Sequence, residues 1–372
     1  MINIGITGQK GFIGTHLFNN LRLYPKKYNL IDFKKDYFED KPALDRFVCR
    51  CDVIVHLAAV NRHQTPSVIY DTNVSLVTSL IESLNRTQRT PHIIMSSSSQ
   101  ENIDNLYGRS KKVGRSMLSK WSKENKAIFT GMIIPNVFGP FAKPYYNSVI
   151  ATFSHQISKN ETPKIDINRE LKLIYIDDLV SHIIDCINEK RNEISYNVKH
   201  TSEAKVSELL ELLQNFKLVY GEKGEIPLLN DSFELNLFNT YRSYINIKNY
   251  FPVKFTQHKD DRGSFVELIK LGVGGQVSFS TTLPGVTRGN HFHTRKIERF
   301  AVIKGKALIQ LRLIGSDEIF DFYLDGNEPA YVDMPIWYTH NIKNIGKDTL
   351  FTNFWINEKY NSEDPDTFFE EV

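Results

Sequence analysis

The chain has 372 residues, of which 46 are basic and 43 acidic, so its formal net charge is only +3. That length suffices for two domains, each with its own core. The small charge and the scattered basic residues argue against nucleic acid as the main partner. No apolar run approaches a membrane span, and residues 1–7 form a strand pattern rather than a signal segment, so we expect a cytoplasmic protein without a membrane partner. The three cysteines form no framework and indicate reduced thiols.

The first strand pattern leads directly into a glycine-rich turn. Residues 2–7 are β-branched and mostly apolar, as expected for a buried parallel strand, and residues 15–23 can continue as a helix. Glycines between them allow a tight turn and a close approach to a pyrophosphate at the helix N-terminus. The spacing Gly-x-x-Gly-x-x-Gly is not the usual one, but the flanking elements favour nucleotide binding over a bare turn. The predicted cofactor-binding residues here are Gly8, Gly11, Phe12, Ile13 and Gly14.

The next two strands offer further cofactor contacts. Asp32, at the end of the second strand, would bind the ribose hydroxyls of NAD, whereas Lys34 and Lys35 suit the 2′-phosphate of NADP. These residues alone leave the choice between the two cofactors open. Residues 52–60 predict a buried strand that runs into a small-residue loop, where Ala58 would let the cofactor lie close to the backbone.

Tyr107 and Lys111 are four residues apart, so on a helix they share a face and can point at one bound molecule. The Lys111 ammonium favours tyrosinate, and we expect it to lower the Tyr107 pKa from its usual value of about 10. Tyr107 would then exchange protons near neutral pH. Alone, Tyr-x-x-x-Lys is more often a partly exposed helical pair. Four serines, Ser96 to Ser99, come shortly before this pair at the end of a predicted strand. They could belong to the same site, or they could form only a polar loop.

Together, the glycine turn, the serine run and the Tyr-x-x-x-Lys pair resemble the extended short-chain dehydrogenase/reductase family, which modifies nucleotide-activated sugars. The resemblance implies that Tyr107 protonates the substrate oxygen and that Lys111 holds the nicotinamide ribose. A serine at the strand end would orient the substrate oxygen. Ser98 fits that place best, with Ser97 next.

The same resemblance implies several substrate contacts. Residues 133–140 resemble the segment whose asparagine, here Asn136, helps to hold the sugar nucleotide, although two isoleucines stand where related enzymes often have an arginine. Asn147 and Ser148 should approach the sugar nucleotide. Arg169 could contact a diphosphate bidentately or form a surface salt bridge.

From residue 255 the pattern changes to short alternating strands separated by turn residues, which argues for an all-β sandwich or barrel. His291 and His293 would project to one face of a strand, Glu298 follows them, and His340 could come from another strand. Imidazole and carboxylate together suit Zn²⁺ or another divalent transition metal. Two histidines on one strand face are often only packing.

These histidine segments resemble the two cupin motifs. The first matches at every fixed position, and the second has Trp337 where a glycine is usual. Residues 260–267 resemble the first strand of cupin sugar-nucleotide 3-epimerases, in which Arg262 would contact the nucleotide diphosphate. Asp-Arg-Gly could otherwise be a tight turn.

End to end, the chain resembles the CapF family of bifunctional capsule enzymes in UDP-N-acetyl-L-fucosamine biosynthesis. The resemblance implies an α/β fold, with a Rossmann-type doubly wound parallel sheet in the first domain and an all-β cupin jelly roll in the second. The change in strand pattern predicts that the first domain covers residues 1–248 and the second residues 249–372. It further implies NADPH as cofactor and a divalent metal such as Zn²⁺ in the cupin. The implied partners are a UDP-activated amino-deoxy sugar as substrate and a second copy, in a homodimer joined largely through the cupin.

The implied reaction is C3 epimerisation of a UDP-2-acetamido-2,6-dideoxy-4-ketohexose, followed by C4 reduction to UDP-2-acetamido-2,6-dideoxy-L-talose. Epimerisation must come first, because the C3 proton is acidic only while C4 is a ketone. One alternative is an NAD-recycling 4-epimerase or 4,6-dehydratase, although Ser98 to Glu101 lacks the aspartate usual in dehydratases. The other is a cupin that is a non-catalytic sensor or dimerisation module.

Overall fold

The computed structural model describes residues 1–255, 257–260, 263–266, 268, 274–358 and 361–372. Contacts divide this part of the chain into two compact units, residues 1–152 with 165–209, and residues 153–164 with 210–372. The domain boundary at residues 248 and 249 was predicted from the change in strand pattern, and it stays a prediction.

Strands and helices alternate through most of the first 205 residues, except where β6 follows β5 and β9 follows β8. The longest helix spans 22 residues and starts at Pro66, since proline is well suited to a first helical turn. Within the described ranges, no helix combines the length and the apolar character that crossing a membrane requires. The elements are β1 Ile2–Thr7, α1 Phe12–Arg22, β2 Tyr28–Ile31, α2 Lys41–Arg50, β3 Val53–His56, α3 Pro66–Thr87, β4 His92–Ser98, α4 Leu106–Glu124, β5 Phe129–Ile134, β6 Asn136–Phe138, α5 Val149–Ser158, β7 Glu170–Tyr175, α6 Ile176–Glu189, β8 Glu193–Asn197 and β9 Ser202–Lys205.

Six of these strands form a parallel sheet in the order β2-β1-β3-β4-β5-β8. Buried side chains of the sheet and of α2, α3 and α4 share one core, including Phe47, Leu80, Ile93 and Leu118. The strand order reverses between β1 and β3, and their carboxyl ends flank a crevice where doubly wound sheets bind ligands. The predicted Rossmann-type fold of this half is confirmed.

Short strands dominate the rest of the chain after three helices and a π-helical stretch at Lys217–Glu222. The alternating pattern does not predict β18, because all five of its residues are buried. The elements are α7 Val206–Phe216, α8 Ser232–Arg242, α9 Ile247–Tyr250, β10 Val253–Lys254, β11 Gln257–Asp260, β12 Gly263–Val266, β13 Gln276–Thr282, β14 Thr287–Phe292, β15 Glu298–Lys304, β16 Lys306–Leu313, β17 Ile319–Asp325, β18 Ala330–Met334, β19 Tyr338–Asn344, β20 Leu350–Ile356 and β21 Phe368–Phe369.

Two five-stranded antiparallel sheets make up most of the second unit, in the orders β10-β18-β15-β20-β13 and β17-β16-β19-β14-β21. Both contribute to one core, with Val302 and Val332 from the first sheet and Ile309 and Leu311 from the second. Apolar side chains from two sheets therefore meet as in a sandwich. The predicted all-β fold of this half is confirmed.

A buried ion pair attaches the preceding helical segment to the first of these sheets. Arg299 Nε lies 2.7 Å from Asp333 Oδ1, and the Tyr220 hydroxyl donates to Asp333 Oδ2 at 2.6 Å. The Arg299 guanidinium also donates to the Gly224 carbonyl at 2.9 Å and lies 3.7 Å from the centre of the Tyr331 ring. These contacts explain why the second unit includes residues well before the first β-strand of this half.

Candidate active site and metal centre

The glycine turn lies at the crevice between β1 and β3. Gly8 has φ +76°, and a Cβ atom there would come within 2.8 Å of the Ala58 amide nitrogen. A Cβ atom on Gly14 would lie 2.3 Å from the Gly8 carbonyl oxygen, so the turn closes only with glycine at both positions. Gly11 is the N-cap of α1, whose first amides point out of the turn. This backbone could hold a pyrophosphate at the helix N-terminus.

The other predicted cofactor residues lie at the same end of the sheet. Phe12 and Ile13 form the first turn of α1 and are partly buried. Asp32, Lys34 and Lys35 follow β2 and are exposed. Both the acidic and the basic candidates are thus open to a ribose or its phosphate.

The first turn of α4 packs closely against the turn that follows the serine run. The Asn105 side chain caps the helix by accepting from the Gly108 amide at 2.7 Å. A Cβ atom on Gly108 would lie only 2.0 Å from the Gln100 carbonyl oxygen. Glycine at position 108, directly after Tyr107, therefore lets the helix approach the turn that follows β4.

Tyr107 and Lys111 share a face of α4, as predicted from their spacing, with the Lys111 Nζ 6.0 Å from the centre of the Tyr107 ring. The predicted lowering of the Tyr107 pKa is wrong for this geometry. Burial, and then the nearby Tyr146, raise the pKa of Tyr107 instead. Lys111 is buried with its Nζ 3.5 Å from Ser96 Oγ, and burial lowers its own pKa to about 8. Desolvation therefore outweighs the attraction between ammonium and tyrosinate.

The serines at the end of β4 have different surroundings. Ser97 is buried, and its hydroxyl contacts the Glu101 carboxylate. Ser98 is partly exposed and caps a short 3₁₀ turn, with its Oγ accepting from the Gln100 amide at 3.2 Å. Because that bond uses only a lone pair of Ser98, its hydroxyl hydrogen remains available to donate.

The predicted substrate contacts are mostly exposed. Asn136 is exposed and donates to a backbone carbonyl of β7 at 3.1 Å. Asn147 is exposed, and Ser148 Oγ accepts from an amide in the first turn of α5 at 3.2 Å. Arg169 is exposed, and the described residues provide no ion pair for its guanidinium. Arg262 lies outside the described residues.

Four side chains of the second unit converge on one point. His291 on β14 is directly opposite His340 on β19, and Glu298 begins β15 of the other sheet. The Nε2 atoms of His291, His293 and His340 lie 3.9, 3.0 and 3.1 Å from Glu298 Oε2. One ligand atom from each residue lies within 4.8 Å of the others. Three imidazoles and a carboxylate at this spacing fit a divalent transition metal such as Zn²⁺.

The protonation states of Glu298 and His340 are also those that binding of a cation requires. Burial would raise the pKa of Glu298, but the three imidazoles around its carboxylate hold that pKa well below the usual value, so the carboxylate is ionised. His340 Nδ1 lies 3.2 Å from the Tyr338 carbonyl, which can only accept. The hydrogen of neutral His340 is thus on Nδ1, and its Nε2 lone pair faces the cluster.

Trp337 occupies a glycine-like position beside the cluster. Its φ is +63°, in the left-handed region, so the backbone of the second cupin motif is kept although a tryptophan replaces the usual glycine. Its amide donates to the His293 carbonyl at 2.7 Å, and its ring stacks on Phe292 at 5.5 Å between centroids. Tertiary contacts therefore offset the strain of this conformation.

Comparison with known proteins follows the division into two halves. The NAD dependent epimerase/dehydratase family matches residues 4–198, which include the glycine turn, Tyr107 and Lys111. The chain belongs to the NAD dependent epimerase/dehydratase family. The polysaccharide biosynthesis C-terminal domain matches residues 258–368, which include the four clustered side chains.

Among the relatives of this epimerase/dehydratase-family chain, two extend over both halves and a third covers a shorter part. UDP-2-acetamido-2,6-beta-L-arabino-hexul-4-ose reductase of Pseudomonas aeruginosa is 33% identical over 368 residues, or 98% of this chain and 97% of that protein. The crystal structure of the capsular polysaccharide assembling protein CapF from Staphylococcus aureus is 36% identical with a TM-score of 0.64, and all of both chains is covered. The spore coat polysaccharide biosynthesis protein SpsL of Bacillus subtilis is 28% identical over 30% of this chain and 82% of its own length. The predicted resemblance to CapF is confirmed.

Asn73 on α3 contacts the candidate site and was not among the predicted site residues. Its side chain accepts from the Val60 amide at 2.7 Å and donates to the Val60 carbonyl at 3.0 Å. It also donates to Ser110 Oγ at 3.0 Å, and Ser110 donates to the Tyr107 carbonyl at 2.7 Å. Asn73 thus links the loop after β3 to the helix turn that carries Tyr107.

A buried ion pair behind the serine run was also missed. Arg115 Nη2 lies 2.6 Å from Glu101 Oε2, and its Nε lies 2.8 Å from Oε1. Burial would raise the pKa of Glu101, but the hydrogen bonds from Arg115 and Ser97 lower it below its usual value. Arg115 also donates to the Ile194 carbonyl at 3.0 Å. The available signal was helical spacing, since Arg115 lies four residues beyond Lys111.

Changing Arg115 to methionine should lower the free energy of unfolding by about 3 kcal/mol, because it leaves the Glu101 carboxylate buried and unpaired. Since the folded pKa of Glu101 is depressed, the pair stabilises the protein above the unfolded glutamate pKa of about 4.3 and this contribution is lost as the pH falls through the folded value. Urea unfolding at neutral and acidic pH measures both effects.

The matched control is Arg109→Met on the same helix. Arg109 pairs with Asp104 at 2.5 Å, but both side chains are largely exposed, so we expect a loss below about 1 kcal/mol. Equal losses in the two variants would contradict the assigned role of the buried pair.

Proposed function

We propose that this protein is a bifunctional sugar-nucleotide enzyme of capsule precursor synthesis. It would epimerise C3 of a UDP-2-acetamido-2,6-dideoxy-4-ketohexose and then reduce C4 with NADPH, giving UDP-2-acetamido-2,6-dideoxy-L-talose for UDP-N-acetyl-L-fucosamine. The observation that carries the proposal is the presence of two chemically different sites in one chain. A Tyr107–Lys111 pair accompanies the glycine turn, and a histidine–glutamate cluster lies in the second unit. Similarity over nearly the whole chain to a UDP-arabino-hexulose reductase supports the substrate class.

In the reduction, Tyr107 is the proton donor. Its raised pKa keeps the phenol protonated at neutral pH, as an acid requires. When bound at the glycine turn, NADPH would supply the hydride that C4 accepts. Lys111 would bind the nicotinamide ribose, since its Nζ lies beneath the tyrosine near the end of β4. The proton of Tyr107 then goes to the C4 oxygen.

Ser98 is the better candidate for orienting the C4 oxygen, because its hydroxyl can still donate while Ser97 is held by Glu101. Changing Ser98 to alanine should lower kcat by about 10²-fold, as loss of an oxyanion donor does. Ser97→Ala is the matched control and should reduce stability more than kcat, because it removes a partner of a buried carboxylate. Steady-state kinetics and urea unfolding of both variants measure these losses. A larger loss of kcat in Ser97→Ala than in Ser98→Ala would assign the orienting role to Ser97 instead.

For epimerisation, His291, His293, Glu298 and His340 would hold a divalent ion. When bound, such an ion supplies positive charge that can stabilise the enolate formed when C3 loses its proton. The chain contributes the converging Nε2 atoms and an ionised carboxylate in a buried site. Removal of the C3 proton precedes reduction, since it requires the C4 ketone.

A homodimer through the second unit is part of the proposal. Among the described strands, β13 lies at the edge of its sheet, and its Val277 and Phe279 side chains are 56% and 73% exposed on the same face. An exposed apolar edge strand favours pairing with a second copy. Phe279→Glu should therefore shift the molar mass measured by light scattering from dimer towards monomer. Ile167→Glu, at an equally exposed position of the first unit, should leave the mass unchanged.

The deciding experiment follows NADPH absorbance with a UDP-4-keto-6-deoxy-N-acetylhexosamine in D₂O and examines the product by mass and NMR. Oxidation of NADPH with deuterium at C3 would support both activities. Oxidation without deuterium would leave a reductase with a non-catalytic cupin. Absence of oxidation would favour an enzyme that recycles bound NAD, such as a 4-epimerase.

A further inference from the structure

The segment of residues 361–372 lies along the strands that carry the metal cluster. β21 pairs with β14, which places Phe369 opposite His291. The Glu370 carbonyl accepts from the Thr339 hydroxyl, one residue before the cluster residue His340. This segment therefore contacts both strands that carry histidines of the cluster, β14 through its backbone and β19 through the Thr339 side chain.

Asp366 in this segment organises the turn between β14 and β15. Its buried carboxylate accepts from the amides of Thr294, Arg295 and Lys296 at 2.9, 3.1 and 3.0 Å. It also accepts from the Thr294 hydroxyl at 2.6 Å. That turn joins His293 to Glu298, so the Asp366 carboxylate holds the connection between two of the four cluster residues.

The main chain of Asp366 contacts the cluster directly. Its carbonyl oxygen accepts from His293 Nδ1, and since a carbonyl cannot donate, the Nδ1 atom carries the hydrogen. His293 Nε2 is then directed at Glu298, 3.0 Å away. Among the described residues this buried nitrogen has no partner in hydrogen-bond geometry, as expected for an atom that binds a metal. Asp366 reaches both contacts with φ +40°, a left-handed conformation that aspartate tolerates better than most residues.

We infer that Asp366 is a positioning residue of the metal centre. Its carbonyl sets the tautomer and ring orientation of His293, and its carboxylate sets the turn that separates His293 from Glu298. The inference rests on the metal site of the proposed function. Groups that orient metal-binding histidines through the other ring nitrogen typically contribute about 10- to 100-fold to metal affinity.

The test measures metal binding by the full chain rather than turnover. Metal-free protein is titrated with Zn²⁺ against a chelator of known affinity, and the absorption bands of bound Co²⁺ report the ligand geometry. Asp366→Ala should weaken Zn²⁺ binding by about 10- to 100-fold and shift the Co²⁺ bands. Asp366→Asn keeps one oxygen for the turn amides and should weaken binding less.

Asp364→Ala is the matched control, since Asp364 lies two residues away with a largely exposed side chain paired to Arg295. It should match the wild type in affinity and spectrum. Folded Asp366 variants with wild-type affinity and unchanged Co²⁺ bands, but a lower unfolding temperature without metal, would show a structural role only and overturn the inference. If Asp366→Ala does not fold, the Zn²⁺ affinity and the Co²⁺ bands of Asp366→Asn decide between a positioning role and a purely structural role. A wild type that binds neither ion would instead refute the proposed metal site itself.

Discussion

Replacing Tyr107 with phenylalanine is expected to lower kcat for NADPH-dependent reduction by about 10³-fold, within the range for loss of a positioned acid. The physical reason is that the new alkoxide at C4 needs a proton as hydride arrives. Tyr107 lies beside the buried Lys111, and its raised pKa keeps it protonated. The ring itself remains, so packing and KM should change little. Initial rates of NADPH oxidation measure the effect.

The matched control is Tyr24→Phe, at a tyrosine of the same unit that is 53% exposed after α1. It should retain the wild-type rate. Deuterium exchange at C3 should also persist in Tyr107→Phe, because the proposal assigns that step to the histidine–glutamate cluster. A Tyr107→Phe variant that reduces the ketone at the wild-type rate would remove Tyr107 from the mechanism.

Replacing Glu298 with glutamine is expected to lower C3 deuterium exchange by about 10³-fold, which corresponds to several kcal/mol of charge stabilisation. Glutamine has the same shape but no charge, and Glu298 Oε2 is the atom on which the three imidazoles converge. Bound metal should fall in parallel, which elemental analysis of the purified variant measures.

The rate of NADPH-dependent reduction distinguishes this loss of exchange from misfolding of the variant. Glu298→Gln should still oxidise NADPH when it is given the C3-epimerised ketone, because Tyr107 and Lys111 are unchanged. Glu318→Gln, an exposed glutamate of the same unit, should keep both metal and exchange. Full exchange in metal-free Glu298→Gln would place the epimerisation elsewhere and leave the cluster a structural role.

The spacing of residues in the sequence was enough to predict several local features of this protein. Glycines between a strand and a helix predict the turn after β1, because few other residues allow so close a backbone approach. A four-residue interval puts Tyr107 and Lys111 on one helix face, and a two-residue interval groups His291 with His293. These are properties of the covalent chain and of regular secondary structure, and therefore they can be recognised before the fold is known.

Only the tertiary structure decided the properties that depend on burial and on distant partners. The expected lowering of the Tyr107 pKa reverses because desolvation cannot be derived from a four-residue interval. Arg115 pairs with Glu101 across a turn, and Asp366 accepts from amides more than 60 residues earlier in the chain. Neither contact can be predicted from local spacing. Spacing predicts which side chains share one element, whereas packing between elements sets their charge state, their tautomer and the atoms they hold in place.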